Sequence, residues 1–131
     1  MQKNSYIRVS SGAKWESLVG YSRAVKVGNQ VEVAGTIALD KDGQVVAPGD
    51  PYLQTKRIIE IAESTLKKLG GKLENVIRTR IFTTDISKWE EIGKAHGEYF
   101  REIKPASTMV EISKLVIPET VVEIEFTAVI D

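Results

Sequence analysis

Pro105-Ala106-Ser107-Thr108-Met109-Val110-Glu111-Ile112, a turn at Pro118, and then Val121-Val122-Glu123-Ile124-Glu125-Phe126-Thr127-Ala128-Val129 form the stretch that decides the fold. Its second half alternates cleanly. Val122, Ile124, Phe126 and Ala128 fall on one face of a strand, and Val121, Glu123, Glu125 and Thr127 on the other. Two carboxylates on the second face require water, a cation or a polar pocket opposite them. These acids, with the Ser107-Thr108 pair of the preceding strand, are the first candidates for chemistry.

Upstream, Ser87 and Glu90 predict a capping box for a helix that places Trp89, Ile92, Gly93, His96 and Phe100 on one side. Before it, Val76 to Thr83 reads as a strand. Ile77, Thr79, Ile81 and Thr83 lie on one face and Val76, Arg78, Arg80 and Phe82 on the other. A longer helix begins at Asp50-Pro51, an N-cap acceptor followed by Pro at the first helical position. Ile58, Ile59, Ala62, Leu66 and Leu69 form its apolar stripe, and Gly70-Gly71 ends it. Earlier still, Tyr21 to Val27 and Val31 to Thr36 flank Gly28-Asn29 as a hairpin. Tyr21, Arg23, Val25 and Val27 share a face of its first strand. Residues 1–18 are polar and weakly patterned, with a turn at Ser10-Ser11-Gly12.

The order is hairpin, helix, strand, helix, strand, strand. Two amphipathic helices need one sheet face to cover, which predicts an α+β two-layer sandwich, a mixed sheet with both helices on one face, as a single domain over residues 1–131. The other face is expected to carry Arg23, Val25, Val27, Ser107, Glu123 and Glu125. A mixed face of that size is usually covered by another copy.

Composition narrows the function. The 131 residues carry 18 basic and 18 acidic side chains, a formal net charge of zero. A whole-surface basic field for nucleic acid is absent, so no nucleic-acid partner is expected. Near-zero charge also does little to keep copies apart. The chain has no Cys and one His, which removes disulfides, thiolate nucleophiles and the usual zinc ligand sets. Asp40-Lys41-Asp42-Gly43 lacks the spacing and terminal Glu of a calcium loop and reads as a turn. No metal or cofactor is expected. With no long apolar run there is no membrane partner, and the cytoplasm is the expected location.

The pattern "PASTMVEI…P..VVEIE..AV" resembles the C-terminal signature of the RidA family (YjgF/YER057c/UK114), and the resemblance extends over nearly the whole chain. It implies the YjgF, chorismate-mutase-like fold and a homotrimer whose sheets form a central barrel, with small-molecule pockets at the subunit interfaces. It also implies hydrolysis of reactive imines and enamines to carbonyl compounds and ammonia. By position, Glu123 matches the acid that orients water. Tyr21 matches a pocket wall, and Gly35-Thr36 a strand end where a ligand approaches the backbone. Thr108 and Met109 match positions whose main chain lines the pocket, and Trp89 an aromatic wall contributed by the neighbouring subunit.

Two positions depart from the family. Ser107 stands where active relatives carry an Arg that grips a substrate carboxylate as a two-pronged fork. Losing such a partner at a desolvated site costs about 2–5 kcal/mol. Gly93 replaces an Asn that contacts ligand. Arg23 or Arg80 is the candidate replacement cation. Alternatively, Arg78 and Arg80 pair with Glu123 and Glu125 as an interfacial ion network. His96 is read as a packed histidine before a catalytic one. Two functions remain open: a deaminase acting on imines or enamines of a small acidic or carbonyl-containing metabolite, or a non-catalytic ligand-binding module. Ribonuclease action fits the charge balance poorly.

Overall fold

The computed structural model describes residues 5–131. In chain order the elements are β1 (Tyr6–Val9), β2 (Ala24–Val27), β3 (Gln30–Thr36), α1 (Pro51–Lys68), β4 (Val76–Thr83), α2 (Trp89–Phe100), β5 (Ala106–Glu111) and β6 (Val122–Val129). Short helical turns occupy Glu16–Gly20, Leu73–Asn75 and Ile86–Lys88. The six strands make one sheet of order β1-β2-β3-β6-β4-β5. Among the described residues only β4 and β5 run parallel; the other pairs are antiparallel.

Strand β6 is interior to this sheet, and its alternation organises the core. Val122, Ile124, Phe126 and Ala128 are fully buried and join Val31, Val33 and Ile81 under Ile58, Ile59 and Leu66 of α1 and Ile92 and Phe100 of α2. Both helices therefore pack on one face of a mixed sheet, as the periodicity requires. Asp50 caps α1 by accepting from the Leu53 N–H at 3.0 Å. At the other end Gly70 takes a φ of 84°, and the Gly71 N–H reaches the Leu66 carbonyl at 2.8 Å. The turn at Asp40 to Gly43 also forms, closed by pairing of Leu39 with Val45.

Several local expectations are corrected. Residues 6–9 form an edge strand paired with β2, in a stretch that carried no clear pattern. Tyr6, Ile7 and Arg8 are all exposed, so the strand is not amphipathic. Strand β2 starts at Ala24 and not at Tyr21, because the helical turn through Gly20 ends at Tyr21. An irregularity between Val76 and Arg78 turns Val76 inward and leaves Ile77 51% exposed, reversing their expected faces. The Ser87–Glu90 box does not form: Asp85 Oδ1 accepts from the Ser87 N–H at 3.0 Å and caps the short turn Ile86–Lys88, while α2 starts from Lys88 without a side-chain cap.

Ser107 is the most consequential correction. Register pairs Ser107 with Thr79 and Thr108 with Arg80. Thr79 lies on the helix-covered face, so Ser107 does too. It does not share a face with Glu123 and Glu125.

One buried polar side chain ties the loops to this core. Gln54 of α1 is fully buried. Its Nε2 donates to the carbonyls of Val46, Ala47 and Glu119, and its Oε1 accepts from the Val121 N–H at 2.8 Å. Replacing Gln54 with Leu leaves these backbone groups buried without partners. The expected loss in urea unfolding is on the order of 3 kcal/mol, well above that of a surface glutamine.

Candidate functional site

The site residues fall into two groups within one chain. The first surrounds the start of β6. An irregularity in the β3–β6 pairing between Val33 and Thr36 brings Gly35 against Glu123. A Cβ at Gly35 would lie 2.9 Å from the Glu123 Cδ and 3.1 Å from either carboxylate oxygen, so an added methyl would displace the carboxylate from this position. The Gly35 carbonyl accepts from the Arg23 guanidinium at 2.6 Å. Arg23 is only 8% exposed, with its Nε buried and unpartnered. Its guanidinium lies over the Tyr21 ring, 5.9 Å from the centroid.

Glu123 is half-buried, and this burial pushes its carboxyl above the usual carboxylate range. Arg23 opposes that rise and Glu125 adds to it. A carboxylate with a raised pKa is a stronger base than a solvent-exposed one and is suited to taking a proton.

Residues 10–16 close over this region. Glu16 is 5% exposed. It accepts from Ser10 Oγ at 3.0 Å, from the Ser11 N–H at 3.1 Å, and from Ser11 Oγ. Burial raises its pKa, but the Ser11 and Ser10 hydrogen bonds, aided by Arg23, outweigh that and hold it below the ordinary value. The residue pattern predicts only a turn here. A serine pair five and six residues before an acid was the available signal. A cavity of about 960 Å³ opens between this loop, the 37–43 loop and α1. Its lining includes Tyr21, Arg23, Gly35, Thr36 and Glu123. Thr36 is buried and donates to the Ala34 carbonyl at 2.8 Å.

The second group lies at the β5 edge. Ser107 is exposed and bonded to Thr79, and Met109 shares its face. Thr108 turns to the opposite face and accepts from the Arg78 guanidinium at 2.7 Å. Trp89 is 56% exposed at the start of α2. A Cβ at Gly93 would meet nothing within 4 Å, so packing does not demand a glycine there. Arg80 faces Glu125 in register and reaches Thr127 Oγ1 at 3.4 Å, away from the first group's cavity. Among the described residues the ion pairs are Lys56–Glu98, Arg57–Glu60 and Lys88–Glu91, so the expected sheet ion network does not form within one chain. Among the described residues there is also no cluster of three potential metal ligands, and no helix long and apolar enough to cross a membrane.

These features describe a small α+β sandwich with an uncovered sheet face and a buried Arg beside a pocket carboxylate. The sequence profile of the endoribonuclease L-PSP family matches residues 12–130. The chain belongs to this family, that of the RidA and YjgF/YER057c/UK114 proteins. A Mycobacterium tuberculosis member of the YjgF/YER057c/UK114 family is similar at 42% identity and a TM-score of 0.87, covering 96% of this chain and 100% of that one. The Rid-family protein YyfA of Yersinia pestis shows 25% identity and a TM-score of 0.85, over 96% of this chain and 100% of its own. The 3-aminoacrylate deaminase RutC of Acinetobacter baylyi is 35% identical over 111 residues, which is 85% of this chain and 87% of that protein.

The contact between Gly35 and Glu123 can be isolated. Gly35→Ala should destabilise the protein by about 1 kcal/mol, because the added methyl pushes the Glu123 carboxylate off its rotamer. In a Glu123→Ala background the same change should cost much less, and a double-mutant cycle in urea measures the coupling.

Proposed function

We propose that this chain forms a homotrimer whose uncovered sheet faces pack into a central barrel, and that its interface pockets hydrolyse reactive imines or enamines of a small acidic or carbonyl-containing metabolite. The observation that supports this best is the half-buried Glu123 carboxylate with its raised pKa, held over Gly35 beside the buried Arg23. The similarity to a 3-aminoacrylate deaminase agrees with it, since aminoacrylate is itself an enamine carrying a carboxylate.

In this reading Glu123 takes a proton from water as the water oxygen bonds to the imine carbon. The C=N electrons pass to nitrogen, which gains protons and leaves as ammonia while the carbonyl forms. Arg23 supplies the positive charge that Ser107 does not, with Arg80 as the second candidate. Tyr21, Thr36 and Trp89 wall the ligand, and main-chain groups at Thr108 and Met109 hold developing charge. A second reading, a non-catalytic binding module, is favoured by Ser107 and by the open space at Gly93.

The test is ammonia release by the purified protein from imines generated in situ by an amino-acid oxidase, with neutral and acidic side chains. The deaminase reading expects acceleration over the spontaneous rate, and Glu123→Gln should lower kcat by about 100-fold. Only the ionised carboxylate can accept the proton. The rate should therefore fall as pH drops through a value above the ordinary glutamate range. No acceleration with any substrate removes this reading and leaves the binding module.

A further inference from the structure

His96, Thr79 and Ser107 form a hydrogen-bonded chain from α2, through β4, to the outer edge of the sheet. Thr79 is fully buried, and its Oγ1 lies 2.9 Å from His96 Nε2 and 2.8 Å from Ser107 Oγ. His96 packs against the Phe100 ring, with centroids 4.6 Å apart. Ser107, at the far end, is exposed on the edge strand.

A threonine hydroxyl has one hydrogen. A neutral imidazole side chain carries its hydrogen on Nε2 by preference, so Nε2 donates to Thr79 Oγ1. Thr79 then passes its own hydrogen to Ser107. The hydroxyl directions are assigned from this tautomer. Since Ser107 Oγ already accepts from Thr79, its own hydrogen is directed away from Thr79, towards whatever covers the edge.

We infer that Ser107 is a ligand-facing hydrogen-bond donor, held in that polarity by His96 acting through Thr79, and that its target is a neutral acceptor, the oxygen of a ketone, aldehyde or amide. A lone hydroxyl makes one directional bond and brings no charge, whereas a desolvated carboxylate needs a cation or several donors. The neighbouring Arg78 is committed to Thr108 on the opposite face. Burial keeps the His96 pKa below its ordinary value, so the ring supplies no charge near neutrality either. His96 and Thr79 are positioning residues. The inference rests on the proposed pocket at the β5 edge and gives that pocket a ligand chemistry.

His96 is the only histidine, so its ring signals are unambiguous in NMR spectra of the full chain labelled at histidine nitrogen. The wild type at mildly alkaline pH should show hydrogen on Nε2. Pyruvamide should shift these signals saturably and acetate should not. Ser107→Ala should weaken the pyruvamide half-saturation about tenfold, the loss of one hydrogen bond. Thr79→Val should silence the response, and Thr79→Ser should restore it.

Hydrogen on Nδ1, no response to pyruvamide, an equal response to acetate, or an undiminished response in Ser107→Ala would each overturn the inference. Ser107 is exposed, so that variant remains informative even where Thr79→Val fails to fold. The deaminase reading fails separately. A responsive His96 without ammonia release removes the enzyme and keeps the relay. Ammonia release with unchanged KM in Ser107→Ala and a silent His96 does the reverse.

Discussion

The alternation of β6 is the constraint on which the rest of the structure depends. Its four inward residues, Val122, Ile124, Phe126 and Ala128, leave no exposed surface, because both helices and the flanking strands meet over them. Full burial of each is worth roughly 1.5–3 kcal/mol for the larger side chains. A one-residue slip would place Glu123 and Glu125 in the core and expose the apolar set, so the register is strongly fixed. That same fixation delivers the two acids to the opposite face. Core and site are thus two consequences of one period-two pattern.

Holding Glu123 there is unfavourable in itself. Burial disfavours its ionised form, and Glu125 adds like charge from the same face. Arg23 offsets part of this, but its guanidinium is anchored on the Gly35 carbonyl, and its Nε has no partner. Glu16 also feels the Arg23 charge, but its own hydrogen bonds are satisfied by Ser10 and Ser11. The arrangement leaves one buried donor, Arg23 Nε, without a partner in the neighbourhood of a partly desolvated carboxylate. Unsatisfied polar groups of this kind are rare in folded proteins and concentrate where a ligand supplies the missing partner.

Long, strongly periodic segments were legible in the sequence. The stripe of α1, its Asp50-Pro51 start and its glycine stop all appear where the residues place them. Features set by tertiary pairing were not. β1 has no buried face to announce it, and the β4 irregularity that exchanges Val76 and Ile77 cannot be read from alternation. Ser107 was grouped with Glu123 because both lie on polar-looking strands. Only the parallel register against β4 shows that it belongs with Thr79. The four hydrogen bonds of Gln54 join residues up to 67 positions apart, which no local pattern encodes. His96 could be seen as a lone histidine, but its partner Thr79 looked like any core-facing strand threonine.

The separation of the two residue groups carries the last step. In the sheet order, β4 lies between β6 and β5. Two strand spacings put the Glu123 and Ser107 backbones about 10 Å apart at the least. Their side chains also leave the sheet on opposite faces. A metabolite-sized ligand cannot bridge these groups within one chain. If one pocket uses both Glu123 and Ser107, they must come from two copies, the β5 edge of one meeting the Gly35 region of the next. Assembly would then be a condition for the site and not merely a cover for the open sheet face. The same geometry would then divide the chemistry, with charge and a carboxylate on one copy and a neutral hydroxyl on the other.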